Sequence, residues 1–416
     1  SFFYNYENMF NNIFKNDSLI KILSGTFLLA LYIFVQLIFL FINSFKGKIN
    51  NLESRRITIF YLTFIVLISL IYIFVFNYEN LNKYKLHSQG DDWWVFEYYS
   101  YRILTLSEYL RAGEDTFYFR PLSRYVSTFN HLFFGQSFFL NIIIDIWSIL
   151  MTGYFFILIL NSYKINKHLI LISTFILIFL YFGETFKVLI GRGMPEYLSS
   201  ILLIGGAYYL IKYNYNIKIL NLIFISIFLI LGIWLREDHI FVSLSLILLT
   251  LNLTNETNLI KLIIAVIKKH KLIVIFYTSL IAFGFSLLFI RNYIVSGKFF
   301  GSNIHPNFGS SNYESIISIY RIITGSPLEN FPRLFTIINL FALIMSLIYI
   351  FSKNINNEIL RFAIIIISIV SPYIFLVNWG YFPRYSIHLL PFTSIFICLL
   401  IHNKKLPFSK NLLNKF

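Results

Sequence analysis

Nearly uninterrupted apolar stretches such as Ile219–Leu235 and Phe362–Val377 recur along the whole chain, and they dictate what it can fold into. A helix needs about 20 mostly apolar residues to cross a bilayer. Backbone groups in lipid must be satisfied internally, which leaves helices or a closed barrel. These runs lack the strict alternation that a barrel strand requires. Charged residues make up 13% of the 416-residue chain, against about 25% in soluble domains, so a soluble globule is excluded. The expected fold is all-α: a polytopic transmembrane helical bundle of about 11 spans, forming a single domain over residues 1–416.

The expected spans are Ile22–Ile42, Ile57–Phe76, Phe138–Leu160, Leu169–Phe182, Tyr197–Ile211 and Ile219–Leu235. They continue with Ile240–Leu253, Leu272–Ile290, Leu334–Phe351, Phe362–Val377 and Ser386–Ile401. Alternating the connections between two sides puts 43–56, 161–168, 212–218, 254–271, 352–361 and 402–416 together. These segments are rich in Lys and Arg, and Glu53, Glu256 and Glu358 are their acids. Cytoplasmic connections carry such an excess of Lys and Arg, so this side is assigned to the cytoplasm. The formal charge of +15 is thereby accounted for by the membrane, without a nucleic-acid partner. The single cysteine, Cys398, excludes an intrachain disulfide.

Every polar cluster with chemical potential then faces outward. The first outer loop, 77–137, opens on Gly90-Asp91-Asp92-Trp93-Trp94. Behind it Phe96, Tyr99, Ile103, Leu106 and Leu110 form one helical stripe, with Gly113 as its expected stop. This predicts an extracytoplasmic helix lying on the bilayer surface. One of Asp91 and Asp92 is suited to N-capping that helix. The other is placed to take a proton from an attacking hydroxyl, unless both hold a divalent cation. Trp93 and Trp94 offer flat faces for sugar or lipid, and serve equally as interface anchors.

Arg120 and Arg124 flank Pro121 in Phe-Arg-Pro-Leu-Ser-Arg-Tyr. The planar arginine fork suits phosphate, and headgroup contact is the competing role. Arg236-Glu237-Asp238-His239 joins two spans with almost no loop, and four ionisable groups there must pair or line a polar cavity. Arg236 is a phosphate contact in the second case, with Glu237 or Asp238 orienting it or binding acceptor. One histidine among flexible carboxylates gives no metal-ligand spacing. Pro195 and Glu196 suit the opening of a helix, and Glu196 is also a candidate substrate contact. Asp145 sits inside a span, where ionisable groups are functional candidates. Tyr381-Phe382-Pro383-Arg384-Tyr385, followed by His388, supplies Arg384 as a phosphate candidate and Tyr385 as a substrate contact. The long outer loop 291–333 suits a lid or acceptor-selecting element.

Taken in order, Asp91-Asp92, the surface helix, Tyr118-Phe119-Arg120-Pro121-Leu122, Arg236-Glu237-Asp238 and Pro383-Arg384-Tyr385 resemble the GT-C class of integral-membrane glycosyltransferases. The resemblance covers about residues 57 to 401 and implies a polyprenyl-phosphate sugar as donor. It gives Asp91 or Asp92 the essential acid of the first outer loop. The span Ile22–Ile42 departs from the usual single span before that loop. The implied setting is a bacterial cytoplasmic (inner) membrane with the site facing outward and an acceptor that is lipid, glycan or protein. A polymerase or ligase using a diphosphate-linked glycan, and a lipid-glycan flippase or transporter, are the alternatives.

Overall fold

The computed structural model describes residues 99–107, 121–134, 139–181, 196–213, 218–250, 264, 267–297, 333–351, 356–375 and 387–403. Among these residues the chain is all-α. Its helices are α1 (Tyr99–Leu106), α2 (Pro121–Phe134), α3 (Phe139–Ser162), α4 (Lys167–Tyr181), α5 (Glu196–Tyr213) and α6 (Ile219–Leu235). They continue as α7 (His239–Leu246), α8 (Lys271–Ser296), α9 (Arg333–Ile350), α10 (Asn357–Phe375) and α11 (Leu390–His402). Tight 3-10 turns follow α7 at Ile247–Leu249 and precede α11 at 387–389. The expected spans Ile22–Ile42 and Ile57–Phe76 lie outside the described residues.

Two compact units divide these helices. The first contains α1, residues 124–134 of α2 and residues 139–150 of α3. In it the Thr128 hydroxyl reaches the Ser100 carbonyl at 3.2 Å, joining α2 to α1. The helix expected in the first outer loop ends at Leu106, not at Gly113: Ser107 takes the left-handed conformation (φ 55°) that closes it there. Residues 121–134, part of the expected first outer loop and not assigned a helix there, form the second helix, which proline at the first helical position favours.

The second unit holds residues 151–162 of α3 and helices α4 to α11. Helices α5, α6 and α8 pack in sequence, with α7 against α10 and with α9, α10 and α11 in mutual contact. Glycine permits the closest approaches. A Cβ on Gly206 of α5 would lie 2.7 Å from the Leu229 side chain of α6, and one on Gly284 of α8 would lie 2.5 Å from Ile230. Small residues at such crossings let backbones approach and gain dispersion contact. Beside Gly284, the Trp234 indole N–H donates to that glycine's own carbonyl at 3.1 Å. Side-chain amides of Asn166 and Asn356 accept from the His168 and Glu358 backbone N–H groups at the starts of α4 and α10, which satisfies orphan donors.

Two helices are long and apolar enough to cross a membrane, Ile144–Ser162 within α3 and Lys271–Ser296. The first is 78% buried and the second only 22%. Its outward residues include Leu272, Phe283, Leu287, Ile290 and Ile294. A similar apolar face lies exposed on α6 at Leu220, Phe224, Ile227, Phe228 and Leu231. Of the expected span Ile240–Leu253, α7 and the 3-10 turn that continues it cover His239–Leu249, and 251–253 lie outside the described residues. Arg291, assigned to an outer loop, instead lies buried in the last turns of α8, which runs on to Ser296 and stops at Gly297 (φ 72°).

The close approach at Gly284 gives a test. Gly284→Ala forces its Cβ onto Ile230 and is expected to cost about 1–3 kcal/mol, the usual scale of overpacking. Thermal unfolding in detergent should show the loss, and adding Ile230→Ala should recover part of it. An unaltered midpoint in Gly284→Ala would refute this account of the α6–α8 contact.

Candidate functional site

Helix α6 leaves its last turn at Leu235, and Arg236 turns extended (φ −149°, ψ 115°) while its N–H still bonds to the Gly232 carbonyl at 2.9 Å. The Arg236 carbonyl then accepts from His239 N–H at 3.1 Å, which starts α7 almost at once. This short reversal concentrates three ionic side chains and an imidazole at the joint. Gly232 lies beneath it, where an added Cβ would stand 3.7 Å from His239 Nδ1.

The Arg236 guanidinium is 1% exposed. Its Nε and Nη2 donate to Asp238 Oδ1 and Oδ2 at 3.2 and 3.1 Å, a two-pronged pair. Its Nη1 lies 3.5 Å from Glu196 Oε1, at the start of α5. Glu196 is itself 1% exposed, and neither carboxylate oxygen has a hydrogen-bond partner among the described residues. Burial alone raises the Asp238 carboxyl, but Arg236 and the His239 and His388 imidazoles outweigh it and hold it well below the usual carboxylate range.

His388 comes from the turn before α11, and its ring centroid lies 4.6 Å from that of His239. Both rings are buried. Tyr181 at the end of α4 fixes that turn: its hydroxyl donates to the Ile387 carbonyl at 3.1 Å and lies 3.1 Å from the Ser200 hydroxyl of α5. Ligand atoms of Asp238, His239 and His388 all lie within 4.8 Å of one another, a grouping that can hold a metal ion. The local run Arg236–His239 offers no metal-ligand spacing by itself; the second imidazole of this grouping arrives from a remote part of the chain. His388 was visible only as part of a basic-aromatic turn. No local spacing links it to His239.

Of the expected site residues, Glu196, Arg236 and Asp238 meet here, with Glu237 in the same turn. Mutual pairing in a turn is realised for Arg236 and Asp238, though in a buried setting and with Glu196 added. Arg124 and Asp145 belong to the first unit, both buried. Arg124 sits in the first turns of α2, so its guanidinium is not at an open headgroup position. Asp91, Asp92, Trp93, Arg120, Arg384 and Tyr385 lie outside the described residues. Comparison with protein-family models, curated proteins and solved structures returned no match.

Removing one partner from a buried ion pair leaves an uncompensated charge and costs about 3–5 kcal/mol. Asp238→Ala is thus expected to lower the unfolding midpoint strongly, and Asp238→Asn less, since its amide oxygen still accepts from Arg236. Equal stability of Asp238→Ala and the unaltered chain would show that the pair is not held as described.

Proposed function

We propose that this chain is a multi-pass membrane enzyme of the GT-C type, a glycosyltransferase that moves a sugar from a polyprenyl phosphate to an acceptor hydroxyl outside the cytoplasm. The observation that carries the reading is a buried cluster of Glu196, Arg236, Asp238, His239 and His388 at one end of apolar helices. Ionisable groups at such a boundary are expensive and mark substrate contacts. The same helices bear lysines at their opposite ends: Lys167 begins α4, Lys212 lies in the last turn of α5 and Lys218 precedes α6. Positive residues favour the cytoplasmic side, which supports an extracytoplasmic cluster. The outward apolar faces of α6 and α8 favour lipid surroundings, because soluble proteins rarely expose contiguous apolar patches beyond a few hundred Å². The bundle of about 11 spans and the inner-membrane setting belong to this proposal, as does the role of the first outer loop.

In the reaction, the carboxylate of Asp91 or Asp92 accepts the acceptor's hydroxyl proton as its oxygen bonds to the anomeric carbon. The bond from that carbon to the phosphate oxygen breaks, and the lipid phosphate leaves with the electron pair. Attack opposite the leaving group inverts configuration. Arg120, Arg124 and Arg384 are assigned to the phosphate, whose developing charge gives fixed cations their catalytic value. Arg236 is a further phosphate candidate from the sequence; its Nε and Nη2 donate to Asp238 and its Nη1 lies 3.5 Å from Glu196 Oε1. Trp93, Glu237 and Tyr385 are assigned to sugar or acceptor contact.

The test is incubation of the purified chain with a panel of radiolabelled polyprenyl-phosphate and polyprenyl-diphosphate sugars. Transfer from a monophosphate donor is expected, with a loss of about 10²–10⁴-fold in at least one of Asp91→Asn and Asp92→Asn. Full activity in both variants would remove the proposed base. Transfer only from diphosphate-linked glycans would favour the polymerase or ligase reading instead.

A further inference from the structure

We propose that Asp238, His239 and His388 bind a divalent transition-metal ion, at a site separate from the tandem aspartates of the first outer loop. The inference stands on the convergence of three donors and is independent of the reaction proposed above. Two imidazoles and one carboxylate, with ligand atoms all within 4.8 Å of one another, make a mixed nitrogen–oxygen set. Such a set suits zinc and its first-row neighbours, while magnesium and calcium prefer all-oxygen shells. With bonds of 2.0–2.2 Å, ligand atoms of a tetrahedral zinc stand about 3.4 Å apart. Closing the triangle onto an ion thus takes shifts of about an ångström, within reach of side-chain rotation. Three protein ligands also leave a coordination position open.

The surroundings suit a cation. Around the three donors, Arg236 is opposed by Glu196 and Asp238, with Glu237 in the same turn, so carboxylates outnumber the guanidinium. Glu196 supplies an independent sign. Its carboxylate is 1% exposed and accepts no hydrogen bond among the described residues, although a buried carboxylate is costly unless paired and hydrogen-bonded. A further positive charge in this cluster offsets that cost. The Arg236–Asp238 pair does not exclude coordination, because a carboxylate offers about four lone-pair sites and the arginine takes one on each oxygen. Arg236 repels an incoming cation, and Glu196, 3.5 Å from Nη1, offsets that repulsion. Tyr181 positions the His388 turn through Ile387, so the second imidazole is held by the fold.

The full chain, purified in detergent and stripped with chelator, is titrated with Co²⁺ while its visible d–d absorption is followed. One equivalent is expected to bind with a spectrum of nitrogen and oxygen ligation, and Zn²⁺ should displace it. His239→Ala and His388→Ala should each weaken binding at least 100-fold, and Glu196→Gln should weaken it less. Asp91→Asn and Asp92→Asn should leave the spectrum unchanged. Retained helical circular dichroism and a single gel-filtration peak identify variants that still fold, and His388→Asn replaces any that do not. Absence of saturable Co²⁺ binding overturns the proposal. So does binding that survives both histidine substitutions, or that disappears with the tandem aspartates alone.

Discussion

The joint between α6 and α7 is organised around the buried guanidinium of Arg236. Arg236 lies at the end of a helix whose other residues are almost wholly apolar, and it is 1% exposed. An isolated buried charge is untenable by many kcal/mol, so the fold must bring carboxylates to it. One comes from its own turn, Asp238, which meets it with both oxygens. The other, Glu196, comes from the first turn of α5. Together they pin the start of α5, the end of α6 and the start of α7 at one place. The three-residue reversal between α6 and α7 follows directly, since a longer loop would carry Asp238 beyond the reach of the fork.

Away from that joint, the bundle relies on contact more than charge. Close approach and interhelical hydrogen bonds are what join the apolar helices of this unit. Gly206 and Gly284 provide the approach, and Trp234, Tyr181 and Tyr277 provide the bonds, the last donating to the Ser243 carbonyl of α7. Each of these three donors is an aromatic side chain whose ring is apolar and whose polar tip reaches a backbone carbonyl. That combination satisfies a buried donor without adding charge. It also ties three separate helices to the neighbourhood of the ionic cluster.

The helices from α3 onward were largely legible in the sequence because an apolar run is a local property. Ile219–Leu235 is the same in both, and α3, α4, α5 and α9 begin or end within about two or three residues of expectation, the usual boundary error. The misses share a cause. Helix α2 is amphipathic and polar enough to read as loop, and Arg291 looked like a boundary although burial inside α8 accommodates it. The apolar run that begins with α7 continues into a 3-10 turn, a tightening that periodicity does not announce. At the site, Arg236 with Asp238 was legible from adjacency. Glu196 and His388 were named, but their convergence depends on tertiary contacts with no sequence period to reveal them.

Why should such a cluster persist in an apolar bundle? Replacing a buried ion pair with well-packed apolar residues is often neutral or even stabilising, so stability alone gives little reason to keep it. Holding the turn would need only one arginine and one carboxylate. Here a second carboxylate stands without a hydrogen bond among the described residues, and two imidazoles remote in sequence meet with ring centroids 4.6 Å apart and planes tilted by 60°. Neither addition is required by the reversal between α6 and α7. Their placement at the end of the helices remote from Lys167, Lys212 and Lys218 separates two populations of charge with different physical roles. The lysines lie at chain turns where water can reach them, whereas the buried groups carry a desolvation cost that the turn alone does not require.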